Sequence, residues 1–126
     1  MTKTHAHRIP NSIDYLELTV TDLPEAKAFY AAAFGWEFTD YGEAYAGIRT
    51  SAEAEGEEAG GLLLADEARP AGGPFPLLYS DELEATLTAV TAAGGEIVEP
   101  PYPFPGGRRF HFRDPSGNEL GVWSTV

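Results

Sequence analysis

Residues 106–124, GGRRFHFRDPSGNELGVWS, carry the clearest supersecondary signal in the chain. Residues 108–113 are aromatic-rich and alternating, which suits a strand. Asp114-Pro115-Ser116-Gly117-Asn118 then supplies turn chemistry: Pro fixes φ, Gly accepts positive φ, and Asp and Asn close local side-chain bonds. Residues 119–125 read as the returning strand, so the segment is a hairpin with a polar tip. Side chains alternate faces along a strand. Arg109, His111 and Arg113 therefore share one face, and Arg108, Phe110 and Phe112 share the other. Two readings of the Arg-His-Arg face stay open: a solvated outer surface with an isolated histidine, or the lining of a polar cleft.

Working outward, the 126 residues, 43% of them hydrophobic, suffice for one compact unit with a real core. A net charge of −12 argues against nucleic acid or an anionic membrane as partner, since both call for basic patches. The absence of cysteine excludes disulfides and thiolate chemistry and fits a cytoplasmic protein. No apolar run is long enough to span a bilayer. Residues 1–12 have no apolar signal-peptide core and are expected to form a mobile tail, in which His5 and His7 are an incidental pair.

Residues 14–20 alternate and read as a strand. Asp22 with Glu25, and Pro24 in the first turn, start a helix over 24–34 that Gly35 ends. Residues 36–40 and 44–50 read as strands, 51–58 as an exposed acidic loop, and 62–65 as a short buried strand. The Pro- and Gly-rich stretch that follows is the linker between halves. The second half repeats the first: a strand at 76–80, then a D-x-x-E start at Asp81 and Glu84, displaced from the first by 81 − 22 = 59 residues. A helix over 83–93, a strand at 96–99, a Pro-rich loop at 100–107 and the closing hairpin complete it. The order βαβββ-βαβββ is an α+β pattern with helices packed on sheet. Module one spans 13–66, the linker 67–75 and module two 76–126.

With this duplication, TVTDLPEAKAFYAAAFGWEF (19–38) and RFHFRDPSGNELGVW (109–123), the chain resembles the vicinal oxygen chelate superfamily, the glyoxalase, bleomycin-resistance and dioxygenase group. The resemblance implies two tandem βαβββ modules whose curled mixed sheet surrounds a cup-shaped cavity for a small molecule, frequently in a homodimer. Metal-dependent relatives hold a divalent cation at positions that fall here on Tyr15, near Phe75 or Leu77, and on Gly121. Such a site needs at least about three converging N or O ligands, and these residues do not supply them. The expectation is therefore no metal, with Glu17, His111 and Glu119 as the fallback ligands.

If the Tyr15 face looks inward, Glu17 and Thr19 do too, and the resemblance sends Arg109 and His111 inward. Tyr15, Tyr41, Tyr45, Tyr79, Phe104, Arg109 and Trp123 are then the candidate ligand-binding residues. Glu17 and His111 are candidates for acid–base chemistry or for orienting a ligand, or form an internal ion pair. Three functions compete. The favoured one is metal-free binding of a small organic molecule, an aromatic and acidic cup suiting a planar or cationic ligand. The alternative is a lyase, isomerase or dioxygenase-type enzyme acting on a small oxygenated substrate, with or without a divalent metal. A purely structural module comes third.

Overall fold

The computed structural model describes residues 10–11, 13–50 and 58–126; His5, His7 and most of the acidic loop lie outside them. The elements are β1 (Leu16–Val20), α1 (Leu23–Phe34), β2 (Glu37–Asp40), β3 (Tyr45–Arg49), β4 (Gly60–Leu64), β5 (Leu77–Tyr79), α2 (Leu83–Ala92), β6 (Glu96–Phe104), β7 (Gly107–Arg113) and β8 (Glu119–Ser124). Among the described residues the strands form two four-stranded sheets, ordered β1-β4-β3-β2 and β5-β8-β7-β6. Each sheet is mixed: its first strand runs parallel to its last, and the other neighbours are antiparallel.

The first helix forms as its sequence dictates. The Asp22 carboxylate accepts the Glu25 N–H at 2.9 Å, Pro24 occupies the first turn, and Gly35 closes the helix at φ 74°. The second helix departs from expectation. Its N-cap is Glu82, not Asp81, and no side chain of the cap closes the turn. Ser80 does that work instead: its hydroxyl accepts the Glu82 N–H at 3.0 Å and shares a 2.7 Å bond with the Thr86 hydroxyl. Leu23 and Leu83 open the two helices, so the repeat frame is 83 − 23 = 60 residues rather than 59.

A further correction concerns residues 100–107, expected as a loop. β6 continues through them to Phe104. It is the edge strand of its sheet and pairs only with β7, so Pro100, Pro101 and Pro103 remove no ladder bond that a second neighbour would need. Register breaks after Ile97 and Glu99 absorb the irregularity. Tyr102 thereby comes to lie directly opposite Arg109.

Both helices pack against one another and against the inner faces of the sheets, in one core. Leu18, Val20, Ala46, Ile48 and Leu62 enter it from the first sheet, and Phe110, Phe112, Leu120 and Val122 from the second. Tyr30 stacks on Trp36 with ring centroids 4.6 Å apart, and Phe29 reaches Phe112 at 6.0 Å. Because Phe110 and Phe112 are fully buried, the Arg109-His111-Arg113 side of β7 faces the open surface of the sheet.

The two ends of the polar hairpin tip are buried, while Gly117 at its apex is exposed. Asp114 and Asn118 are 5% and 7% exposed. Asp114 Oδ1 accepts the backbone N–H groups of Ser116 and Asn118, and its Oδ2 accepts from Tyr30 Oη at 2.8 Å and from Asn118 Nδ2 at 3.0 Å. Asn118 Nδ2 also donates to the Thr19 carbonyl at 2.8 Å, and the Thr21 N–H donates to Ser116 Oγ. Burial, then the Asp114 charge, push the Tyr30 phenol well above its ordinary pKa, so it stays a donor. This satisfied polar knot ties the second module to the end of β1 in the first.

Candidate functional site

The residues singled out from the sequence divide between the open faces of the two sheets. Tyr15, Glu17, Tyr41 and Tyr45 belong to the first. Tyr79, Phe104, Arg109, His111, Glu119 and Trp123 belong to the second.

On the first face, Tyr15 Oη and Tyr45 Oη are 2.7 Å apart, and Tyr41 Oη donates to Glu58 Oε2 at 2.6 Å. The Glu58 carboxylate fills the space a side chain at Gly47 would take, and the Tyr15 and Tyr45 hydroxyls fill that of Gly61. Burial, with bonding to Tyr15 and Glu17, raises the Tyr45 phenol above its ordinary pKa. Glu17 also pairs with Arg69 of the inter-module segment, at 3.7 Å. Arg69 also donates its N–H to Thr19 Oγ1 and its Nη1 to the Glu17 carbonyl, which pins that segment along β1.

The second face is an aromatic platform around two nitrogenous side chains. The Arg109 guanidinium carbon lies 6.0 Å from the Phe75 ring centroid, 5.5 Å from that of Tyr102 and 5.4 Å from that of Phe104. Phe104 touches Trp123, and Trp123 touches Tyr79. The His111 ring sits 4.7 Å from Phe75. Arg109 Nε donates to the Tyr102 hydroxyl, and that hydroxyl lies 3.0 Å from His111 Nε2. Having accepted from Arg109, the Tyr102 hydroxyl keeps its own proton and a further lone pair, so its bond with Nε2 can run in either direction with the imidazole tautomer. The other ring nitrogen, Nδ1, faces Glu119 Oε2 at 3.8 Å. Burial, then the Arg109 charge, lower the His111 pKa below 6.5, against the opposing pull of Glu119 and Glu99. Its surroundings thus favour the neutral imidazole, with Glu119 pulling the other way.

Two clefts flank residues 70–76. The smaller, about 240 Å³, lies between β1 and the start of β8 and is lined by Glu17, Thr19, Arg69 and Glu119 among others. The larger, about 420 Å³, is lined by residues 71–75, Arg109, His111 and Glu119. Glu17 and His111 thus line different clefts, with Glu119 common to both.

Around Leu77 and Gly121, two positions of the family's divalent site, the side chains present are hydrocarbon rather than ligands. Leu77 pairs with Gly121 across β5 and β8, and the Phe75 ring and Leu77 occupy the space a side chain at 121 would need. Hydrocarbon stands where a carboxylate would have to enter. Among the described residues no group of three or more His, Asp or Glu side chains converges on a point where a metal would sit. The fallback trio is divided, Glu17 pairing with Arg69 while His111 and Glu119 face each other. The donor set does not fit a divalent ion.

Tyr102 was not among the residues singled out, though it bridges Arg109 and His111. Its tyrosine in a proline-rich run reads as loop, and only the edge-strand pairing brings it over β7. Phe75 was noticed only as a substituted ligand position.

The fold and site define a two-module α+β protein with an aromatic, polar-based open sheet face. Residues 12–122 match the Glyoxalase/Bleomycin resistance protein/Dioxygenase superfamily, and the chain belongs to that family. A candidate glyoxylase, CFP32 of Mycobacterium bovis, is 28% identical over 116 residues, which are 87% of this chain and 44% of that protein. The chain thus spans less than half the length of this relative. Among solved structures, a glyoxalase/bleomycin resistance protein/dioxygenase family enzyme from Burkholderia phytofirmans has a TM-score of 0.72 at 18% identity, over 91% of this chain and 99% of that one. TnmS3, an antibiotic binding protein from Streptomyces, has a TM-score of 0.65 at 23% identity, over 94% and 98%. Among the described residues no helix is long and apolar enough to cross a membrane.

Proposed function

We propose that the protein binds a small organic molecule on the open face of its second sheet, without a divalent metal, and does so as a cytoplasmic homodimer. The observation that carries this reading is the continuous platform of Phe75, Tyr102, Phe104, Trp123 and Tyr79 beside a cleft of about 420 Å³. Such a surface offers stacking area, and Arg109 and His111 offer orientation. The fold accommodates this kind of role in the Streptomyces antibiotic binding protein. Leu77 and Tyr79 on the same face are 41% and 53% exposed, apolar surface that a ligand or a second copy would cover.

Elemental analysis of tag-free protein, with melting followed as nickel, zinc, manganese and EDTA are added, tests the metal-free part. The expected result is no stoichiometric metal and no shift. A bound metal whose chelation lowers Tm overturns it. Light scattering on the same sample reads the assembly.

The Tyr102–His111 contact favours a second reading, a lyase or isomerase acting on a small oxygenated substrate. A neutral imidazole bonded to a phenol can take up a proton through that hydroxyl. Loss of turnover in His111→Ala, with the fold intact, would distinguish this enzyme from a binder.

A further inference from the structure

We infer that the ligand of this face carries a compact anionic group, a carboxylate or another oxyanion, on an aromatic or apolar body, and that Arg109 receives the anion. The inference rests on the small-molecule reading above and names the ligand class.

The chain has 20 acidic residues against 8 basic ones, so a cation without a carboxylate is the exception to explain. Among the described residues, Lys27, Arg49, Arg69, Arg108 and Arg113 each sit in an ion pair with Asp40, Glu37, Glu17, Glu84 and Glu96 respectively. Arg109 forms no such pair with a described residue. Its contacts are the Tyr102 hydroxyl, through Nε, and three aromatic rings. No hydrogen bond joins its Nη atoms to a described residue.

The surroundings keep it that way. Phe75, Tyr102 and Phe104 lie beside the guanidinium and hold it in place along the cleft. Of the carboxylates near this face, Glu119 is engaged by Arg113 at 3.9 Å and faces His111 at 3.8 Å, and Glu99 pairs across the sheet with His111 rather than with Arg109. The Nη atoms are the part of the group left for a ligand, and a planar fork of N–H donors matches an oxyanion in bidentate fashion. The aromatic rings beside it supply the surface on which the rest of the molecule would lie.

Calorimetric titration with naphthoate, naphthamide and naphthylmethylammonium, matched in shape and differing in charge, tests the inference. Naphthoate should bind about 10-fold or more tightly than the amide, as charge-assisted hydrogen bonds outweigh neutral ones. Arg109→Gln, checked for folding by circular dichroism, should remove that preference. Arg49→Gln, which deletes the same charge from the first sheet, should preserve it. Equal or tighter binding of the amide or the ammonium by the unsubstituted protein overturns the anion assignment while leaving the small-molecule reading in place. Binding of none of the three counts against both.

Discussion

The two modules share a scaffold and differ at its centre. Register places Gly47 beside Gly61 in the first sheet and His111 beside Gly121 in the second, so Gly47 and His111 are equivalent. By the same pairing Tyr45 corresponds to Arg109 and Arg49 to Arg113. The outer pairs match as well: Arg49 reaches Glu37 at 3.2 Å, and Arg113 reaches Glu96 at 3.4 Å. Between them the first sheet carries tyrosine and glycine where the second carries arginine and histidine. The first face closes on itself, with Tyr15, Tyr45 and Glu58 filling the gaps that Gly47 and Gly61 leave. The second face leaves Arg109 and His111 along an open cleft. The frame is repeated, and the residues at two equivalent positions leave the acidic, tyrosine-rich character on one sheet and the nitrogenous groups on the other. The expectation of one acidic, aromatic cup merged these two surfaces.

The modules are also unequal in how they hold each other, and that asymmetry gives the largest expected effect. Asp114→Ala removes the acceptor for Tyr30 Oη, Asn118 Nδ2 and two backbone N–H groups at a site 5% exposed. Buried donors left unsatisfied should cost on the order of 3 kcal/mol or more in urea unfolding. Asp22→Ala, which removes the exposed cap of α1, should cost about 1 kcal/mol. If both losses are alike, the second module's turn is not what binds the halves together.

A smaller effect concerns His111, whose counterpart Gly47 cannot titrate. The groups around it are Tyr102 and Glu99 on β6, Arg109 on its own strand and Glu119 on β8. Its folded pKa lies below the 6.5 it has when exposed. The unfolded chain therefore binds the proton first. The stability this neutral imidazole contributes is complete above pH 6.5 and is lost as pH falls through the folded value. His111→Gln should lose less Tm than the unsubstituted protein between pH 7.5 and pH 5, on the order of a few degrees. Equal losses in the two proteins would mean the imidazole is not held neutral.

How much of this was legible in the chain follows from where each signal lives. The βαβββ repeat was readable because strand alternation and helix starts are local, and the inward Phe110 and Phe112 fixed which side of β7 is open. The start of α2 at Leu83 was readable, but its cap was not: Asp81 mimics Asp22, while the working acceptor, Ser80, lies one position earlier. Tyr102 was missed because proline density argues for loop unless the strand is known to be an edge. The burial of Asp114 and Asn118 was hidden for a similar reason. Turn chemistry and a buried polar lock use the same residues, and only the docking of the tip on Thr19 and Thr21 separates them. Faces within a strand follow from parity, whereas the division of Glu17 from His111 depends on how two sheets sit side by side.

The smallest effect tests whether the matched outer pairs are equivalent in energy while unequal in consequence. Glu37 and Glu96 side chains are 68% and 71% exposed, so each ion pair is solvent-screened. Glu37→Gln and Glu96→Gln should each change unfolding free energy by no more than about 0.5 kcal/mol. Their effects on His111 should differ. Arg113 also reaches Glu119 at 3.9 Å, and Glu119 is one of the groups that raise the His111 pKa. Freed from Glu96, Arg113 screens Glu119 more fully, so the His111 pKa should fall further in Glu96→Gln and stay put in Glu37→Gln. NMR titration of the imidazole reads this directly. An upward move in Glu96→Gln, or equal moves in both variants, would break the link from the outer ion pair to the centre of the second face and leave the two modules different only at Arg109 and His111 themselves.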